Sequence, residues 1–310
     1  MMTLGSNVKG ALWMLASALV LTAQGSIVKH LGAGLPVTMI LFFRMVLMTV
    51  IAATVLTWPR GGRGPDLAVL GTRRVGTHAL RSVFGLGMMS ATFYAVTVLP
   101  LADATALSFT RPIWSMLTSF FAFGEVIGWL GGIATFTGFG GVLVIVQPQT
   151  GIHHGMLIAL AGAASSSLAL VYNKRLTSTE PVSRILFYFS GFSTLILIIP
   201  ALMWWQTPTA AQFAWLGLMA VCGSMGQMMA SLALKYGEMT VVTPIDFIRV
   251  PAAAFAGFVL FGEAPTVWTF VGTAIILAAT LTILNVRRGR GGRTMATPPV
   301  DETSASMPPR

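Results

Sequence analysis

The chain repeats one arginine-centred pattern inside stretches apolar enough to lie in lipid. Phe109-Thr-Arg111-Pro112 is followed by Phe123-Gly124-Glu125, and Phe247-Ile-Arg249-Val-Pro251 by Phe261-Gly262-Glu263, at a constant offset of 138. A second stretch agrees at an offset of 145, matching Gly10, Leu15, Ala18, Lys29, Leu31, Pro36, Val37 and Phe42 to Gly155, Leu160, Ala163, Lys174, Leu176, Pro181, Val182 and Phe187. The chain therefore reads as two copies of one unit, 1–148 and 149–288. The tail 289–310, rich in Gly, Pro, Ser and Thr, cannot build a core and is expected to be disordered.

Charged residues make up 9% of the chain, against roughly 25% in a soluble domain, and 55% of it is hydrophobic. That balance predicts an all-α polytopic membrane protein. Apolar runs of about 20 residues without strand-like alternation are helices, because lipid tolerates only helices and closed barrels. Ten are expected, at 10–29, 36–57, 78–98, 102–123, 126–147, 155–173, 182–205, 211–235, 241–262 and 265–286. Five crossings per unit return the chain on the opposite side, so the second repeat is inverted relative to the first.

Between helices, one side collects Lys9, Arg60, Arg63, Arg73, Arg74, Arg81, Lys174, Arg175, Arg184, Lys235, Arg287, Arg288, Arg290 and Arg293, while the other has little beyond Lys29. The positive-inside rule then makes both termini cytoplasmic. The net charge of +10 follows from this topology and implies no nucleic-acid partner. No cleavable signal is expected, since the first helix has a counterpart in the second unit. A single cysteine, Cys222, excludes an internal disulfide and a cysteine metal site.

Polar side chains recur at helical spacing in the first, third and fourth helices of each unit. They include Ser17 and Gln24; Ser90, Tyr94 and Thr97; Ser108, Arg111 and Ser115; Ser165 and Tyr172; Ser224, Gln227 and Ser231; and Thr243, Asp246 and Arg249. Together they predict a central cavity. Arg111 and Arg249 stand near the midplane, where an arginine costs about 2.5–3.5 kcal/mol on insertion scales. Each neighbours a proline, Pro112 or Pro251, that is expected to kink its helix and free a carbonyl. Asp246, three residues before Arg249, is placed to pair with it and leave Arg111 the less satisfied charge, which points to an anionic or zwitterionic substrate. Substrate-contacting candidates are Arg111, Arg249, Trp114, Tyr94, Gln24, Gln227 and Ser108, with Asp246 as the coupling carboxylate; a static network tying the fourth helix to the ninth is the alternative.

Arg44 reads as a snorkelling or packing residue. Glu125 and Glu263 are expected to favour the N-termini of the helices that follow them. Lys29 and Lys174 end helices on opposite faces. His153 and His154 lack neighbouring Cys, Asp or Glu and make a weak metal site. Gly85, Gly87, Gly223 and Gly226 are read as points of flexibility.

The duplicated ten-helix pattern, Lys29, Arg44, Pro112 and the repeated Phe-Gly-Glu at 123–125 and 261–263 resemble the EamA-type transporters of the drug/metabolite transporter superfamily, over residues 8–288. The resemblance implies a multi-pass secondary carrier of the bacterial inner membrane that moves a small metabolite by alternating access, with neither cofactor nor metal. No P-loop is present, so energy would come from a gradient, such as a proton or a counter-substrate, or from another subunit. No clustered nucleophile, base or metal set suggests an enzyme. A multidrug, organic-cation or methylated-metabolite exporter of the same fold, and a non-transporting sensor or scaffold, stand as alternatives.

Overall fold

The computed structural model describes residues 4–57, 70–123, 129–147, 153–177, 179–237 and 239–291. Among these the chain forms twelve helices and no strand: α1 (Leu4–Gly32), α2 (Val37–Thr57), α3 (Val75–Val98), α4 (Leu101–Ser108), α5 (Arg111–Phe123), α6 (Trp129–Val146), α7 (His154–Thr177), α8 (Val182–Met203), α9 (Ala210–Tyr236), α10 (Met239–Asp246), α11 (Arg249–Phe261) and α12 (Val267–Gly291). Seven stretches are long and apolar enough to cross a membrane, and 132–146 and 267–282 are shorter apolar helices. The outward surface matches a lipid environment: Phe121, Trp129, Phe136 and Phe255 are largely exposed, a costly arrangement in water. Of the expected tail only 289–291 is described, and it finishes α12. Glu125 and most of the connector after α2 fall outside the described residues.

Local chemistry sets the helix ends. Pro36 and Pro181 precede α2 and α8, where a missing N–H costs nothing. Thr209 opens α9 with a reciprocal capping box: its hydroxyl accepts from the Gln212 N–H, and the Gln212 side chain accepts from the Thr209 N–H at 2.8 Å. Gly262 ends α11 at φ 68°, the left-handed conformation that glycine adopts without strain.

Two of the expected helices are interrupted. The fourth divides into α4 and α5 at Phe109-Thr110, and the ninth into α10 and α11 at Phe247-Ile248. Both breaks fall just before the arginines rather than at the prolines. Pro112 and Pro251 instead occupy the first turns of α5 and α11, where the absent donor would have been unpaired anyway.

Packing runs mainly between the two halves of the chain: α1 against α9, α3 against α7, α2 against α8, and α6 against α12. Positions matched by the sequence offsets touch one another. The Thr49 and Thr194 hydroxyls meet at 3.4 Å between α2 and α8, and the Phe109 and Phe247 rings stack with centroids 4.3 Å apart. Small residues permit the close crossings. A methyl on Gly10 would lie 2.5 Å from the Gly237 Cα, and one on Gly162 would lie 2.5 Å from the Ala91 Cβ. Gly85, Gly87, Gly223 and Gly226 act the same way: side chains fill the space beside each, and none adopts a positive φ, so they provide room rather than flexibility. Serine hydroxyls tie pairs together, Ser17 donating to the Gly226 carbonyl at 2.8 Å and Ser165 to the Phe84 carbonyl at 2.9 Å.

Candidate functional site

Where α4 meets α5 and α10 meets α11, the bundle encloses a cavity of about 250 Å³. Gln24 of α1, Thr92 and Phe93 of α3, Ser108, Arg111, Gln227, Asp246 and Arg249 line it, with Phe109 and Phe247 at the breaks. Arg111 and Arg249 are the first residues of their half-helices. Each arginine therefore opens a helix whose dipole favours an anion over a cation, while the Ile113 and Trp114 N–H groups donate to the Thr110 carbonyl and those of Val250 and Ala252 to the carbonyls of Phe247 and Ile248.

The two arginines differ in what they touch. Arg249 Nη1 lies 3.8 Å from Asp246 Oδ2, an ion pair too long for a hydrogen bond. Its guanidinium stands 5.6 Å from the Phe109 ring centroid, and its Nε is buried without a partner. Arg111 makes no hydrogen bond or ion pair among the described residues, and its side chain is exposed into the cavity. Ser108 donates to the Thr105 carbonyl at 2.6 Å, and Gln227 offers an exposed amide.

Two of the expected contact residues lie elsewhere. The Tyr94 hydroxyl is 2.9 Å from His154 Nε2 at the far end of α3, outside the cavity lining. Trp114 sets its ring edge-on to Phe139 of α6, with centroids 5.3 Å apart, so α5 turns Arg111 towards the cavity and Trp114 away from it. The polar stripe of α9 contributes Gln227 alone; Ser224 and Ser231 are exposed elsewhere.

Two residues of the cavity lining, Arg44 and Thr280, escaped the sequence reading. Arg44 does not snorkel: it lies eight residues into α2, is only 7% exposed, and lines the cavity with its guanidinium 5.3 Å from the Phe93 ring centroid. Its signal was the lack of any other charge in α2. Thr280 brings α12 to the cavity wall as well. Asp103 of α4 is buried and accepts a 2.5 Å hydrogen bond from Thr269 of α12.

A narrower chamber of about 70 Å³ continues from the cavity past Thr105 to Val28, Val96 and Leu101. Beyond it, Lys29 at the end of α1 forms an ion pair with Glu263 and donates to the Leu99 carbonyl at 2.5 Å. Glu263 also accepts the Leu101 N–H at 2.8 Å. Its carboxylate thus serves the N-terminus of α4 and not, as expected, that of the helix following it. One ion pair clasps the ends of α1, α3 and α11 to the start of α4. His153 and His154 stack with centroids 4.2 Å apart, and no group of three metal-ligating side chains occurs among the described residues.

An apolar helical bundle with lipid-facing walls and a charged internal cavity defines a multi-pass membrane protein. The profile of the EamA-like transporter family matches the chain twice, over residues 8–147 and 153–285, and the chain belongs to that family, within the drug/metabolite transporter superfamily. It is 27% identical to the S-adenosylmethionine uptake transporter of Rickettsia bellii, over 88% of this chain and 92% of that one. It is 26% identical to the pseudopaline exporter of Pseudomonas aeruginosa, over 90% and 97% of the two chains, and 28% identical to the riboflavin transporter of Vibrio cholerae, over 93% and 97%. A solved crystal structure with 18% identity superposes with a TM-score of 0.55, covering 92% of this chain and 98% of that one, a likeness of fold alone.

Proposed function

We propose that this protein carries a small anionic or zwitterionic metabolite across the bacterial inner membrane by alternating access, binding it between Arg111 and Arg249. The observation that carries this reading is the pair of half-helices that each open on an arginine facing one cavity, where Asp246 is the single carboxylate in the lining and makes its ion pair with Arg249. A cargo carboxylate placed there would meet two guanidiniums and two helix N-termini, the arrangement by which interrupted helices hold anionic groups at the membrane midplane. Among the relatives, S-adenosylmethionine bears an amino-acid zwitterion, which suits such a site. Ser108, Gln24 and Gln227 would supply neutral hydrogen bonds, and Asp246 would release Arg249 when protonated, linking transport to a proton.

The mechanism requires ten crossings in two inverted five-helix repeats, 1–148 and 149–288, with both termini and the tail 289–310 in the cytoplasm. The double family match and the contacts between Thr49 and Thr194 and between Phe109 and Phe247 support that organisation. Rocking of the halves would open the cavity first on one side and then on the other.

Thermal stabilisation of the detergent-purified protein by organic anions, amino acids, neutral metabolites and organic cations tests the reading. Carboxylates or zwitterions should stabilise the protein, and Arg111→Ala or Arg249→Ala should remove the effect without loss of folded protein. Stabilisation by cations alone, or undiminished anion stabilisation in the double variant, would overturn it.

A further inference from the structure

The charge balance of the cavity extends past the two repeated arginines. Its lining holds three guanidiniums, Arg44, Arg111 and Arg249, against the single carboxylate of Asp246. Arg44 makes no hydrogen bond or ion pair among the described residues and rests against the Phe93 ring. Beside it the Gln24 amide nitrogen is buried without a partner. Both groups converge on Gly223 of α9: a methyl there would lie 2.8 Å from Gln24 Nε2 and 3.0 Å from Arg44 Nη2. Buried donors without acceptors are costly, and more so when charged. The buried Gln24 nitrogen and the Arg44 guanidinium stand side by side in the cavity wall, where an acceptor arriving with the cargo would serve both.

We infer that Arg44 and Gln24 form a second acid-binding subsite, and that the cargo carries two acidic groups, one held by Arg111 and Arg249 and the other by Arg44. The inference rests on the anion reading of the cavity and narrows it from anions in general to compact dianions. A dianion neutralises the excess of two positive charges, whereas a monoacid leaves Arg44 uncompensated. Gly223 keeps the wall flat beside the subsite, so Gly223→Ala would crowd both donors.

Binding of succinate, glutarate, butyrate and alanine to the purified full-length protein, followed by thermal stabilisation and by titration calorimetry, provides the test. Wild type should bind succinate or glutarate roughly ten- to hundredfold more tightly than butyrate or alanine, the gain of one charge-assisted contact. Arg44→Gln should abolish that preference by weakening the dicarboxylates far more than butyrate, and Arg44→Lys should retain part of it. Equal affinity of wild type for butyrate and the dicarboxylates would overturn the subsite while leaving the Arg111 and Arg249 site standing. Parallel weakening of both ligand classes by Arg44→Gln would make Arg44 a structural residue and also overturn it. Failure of wild type to bind any of the acids would overturn both readings. The wild-type comparison decides the matter even if Arg44→Gln does not fold.

Discussion

Breaking the Lys29 and Glu263 pair should unlock one mouth of the cavity. The side chains are 13% and 19% exposed, so the pair lies between an exposed pair, worth about 0–1 kcal/mol, and a fully buried one, whose disruption costs about 3–5 kcal/mol. A loss of about 2 kcal/mol is expected for Glu263→Gln, which keeps an acceptor for the Leu101 N–H but leaves the ammonium with the Leu99 carbonyl and the Phe261 ring. That energy shifts the ratio of open to closed molecules about 30-fold. Thr105→Cys in a Cys222→Ala background places a thiol in the chamber behind the clasp. A membrane-impermeant thiol reagent, added on the side that Lys29 faces, should react about 30-fold faster in Glu263→Gln and in Lys29→Met. The double variant should react little faster than either single one, and exchanging the charges through Lys29→Glu with Glu263→Lys should slow the reaction again. Unchanged rates in the single variants, or fully multiplicative effects in the double, would refute the clasp, because side chains that act together cannot be lost twice.

Other outcomes follow from the same geometry. Thr269→Val strands the buried Asp103 carboxylate and should destabilise the α4 and α12 contact by about 1–3 kcal/mol, read by chemical denaturation in detergent, with Asp103→Asn in the same background restoring part of it. Gly162→Val forces a side chain into Ala91 and should cost about 1–3 kcal/mol in the same assay, whereas Gly191→Ala, beside open space, should not. Glu180, in the connector between α7 and α8, is raised by burial but held below the usual carboxylate range by hydrogen bonds from Thr72 and Arg184, each 2.6 Å. A carboxyl depressed in the folded state contributes stability at pH values above its unfolded pKa of about 4.5 and loses it as pH falls through the folded value. The melting temperature should therefore drop between pH 6 and pH 3.5, and less steeply in Thr72→Val.

The helices were legible because hydropathy and length depend on local sequence alone, and the two interrupted helices were marked by Arg111 and Arg249 at matched positions. The breaks were anticipated but misplaced. A proline fixes where a helix cannot continue backwards, and the chain satisfies that by starting a new helix one or two residues upstream of it. Of the two readings of Arg44, packing holds and snorkelling does not: distance from a helix end does not say which neighbours surround a side chain, and Phe93 and Gly223 come from α3 and α9. Tyr94 and Trp114 show the same limit, since spacing places residues on a helix but not the direction that helix faces. Glu263 was tied by sequence proximity to the next helix, whereas its partners, Lys29 and Leu101, are brought to it by the fold.

Thr49 touching Thr194 and Phe109 touching Phe247 describe an isologous interface, the kind a homodimer makes where matching positions meet on its two-fold axis. Neither contact depends on the connection between Val146 and His154. The covalent link therefore sets the stoichiometry of the two halves and the concentration at which they find each other, while the surface that joins them belongs to each half separately. Halves 1–148 and 149–310 supplied as separate polypeptides are therefore expected to associate in the membrane, and their failure to co-purify would contradict this.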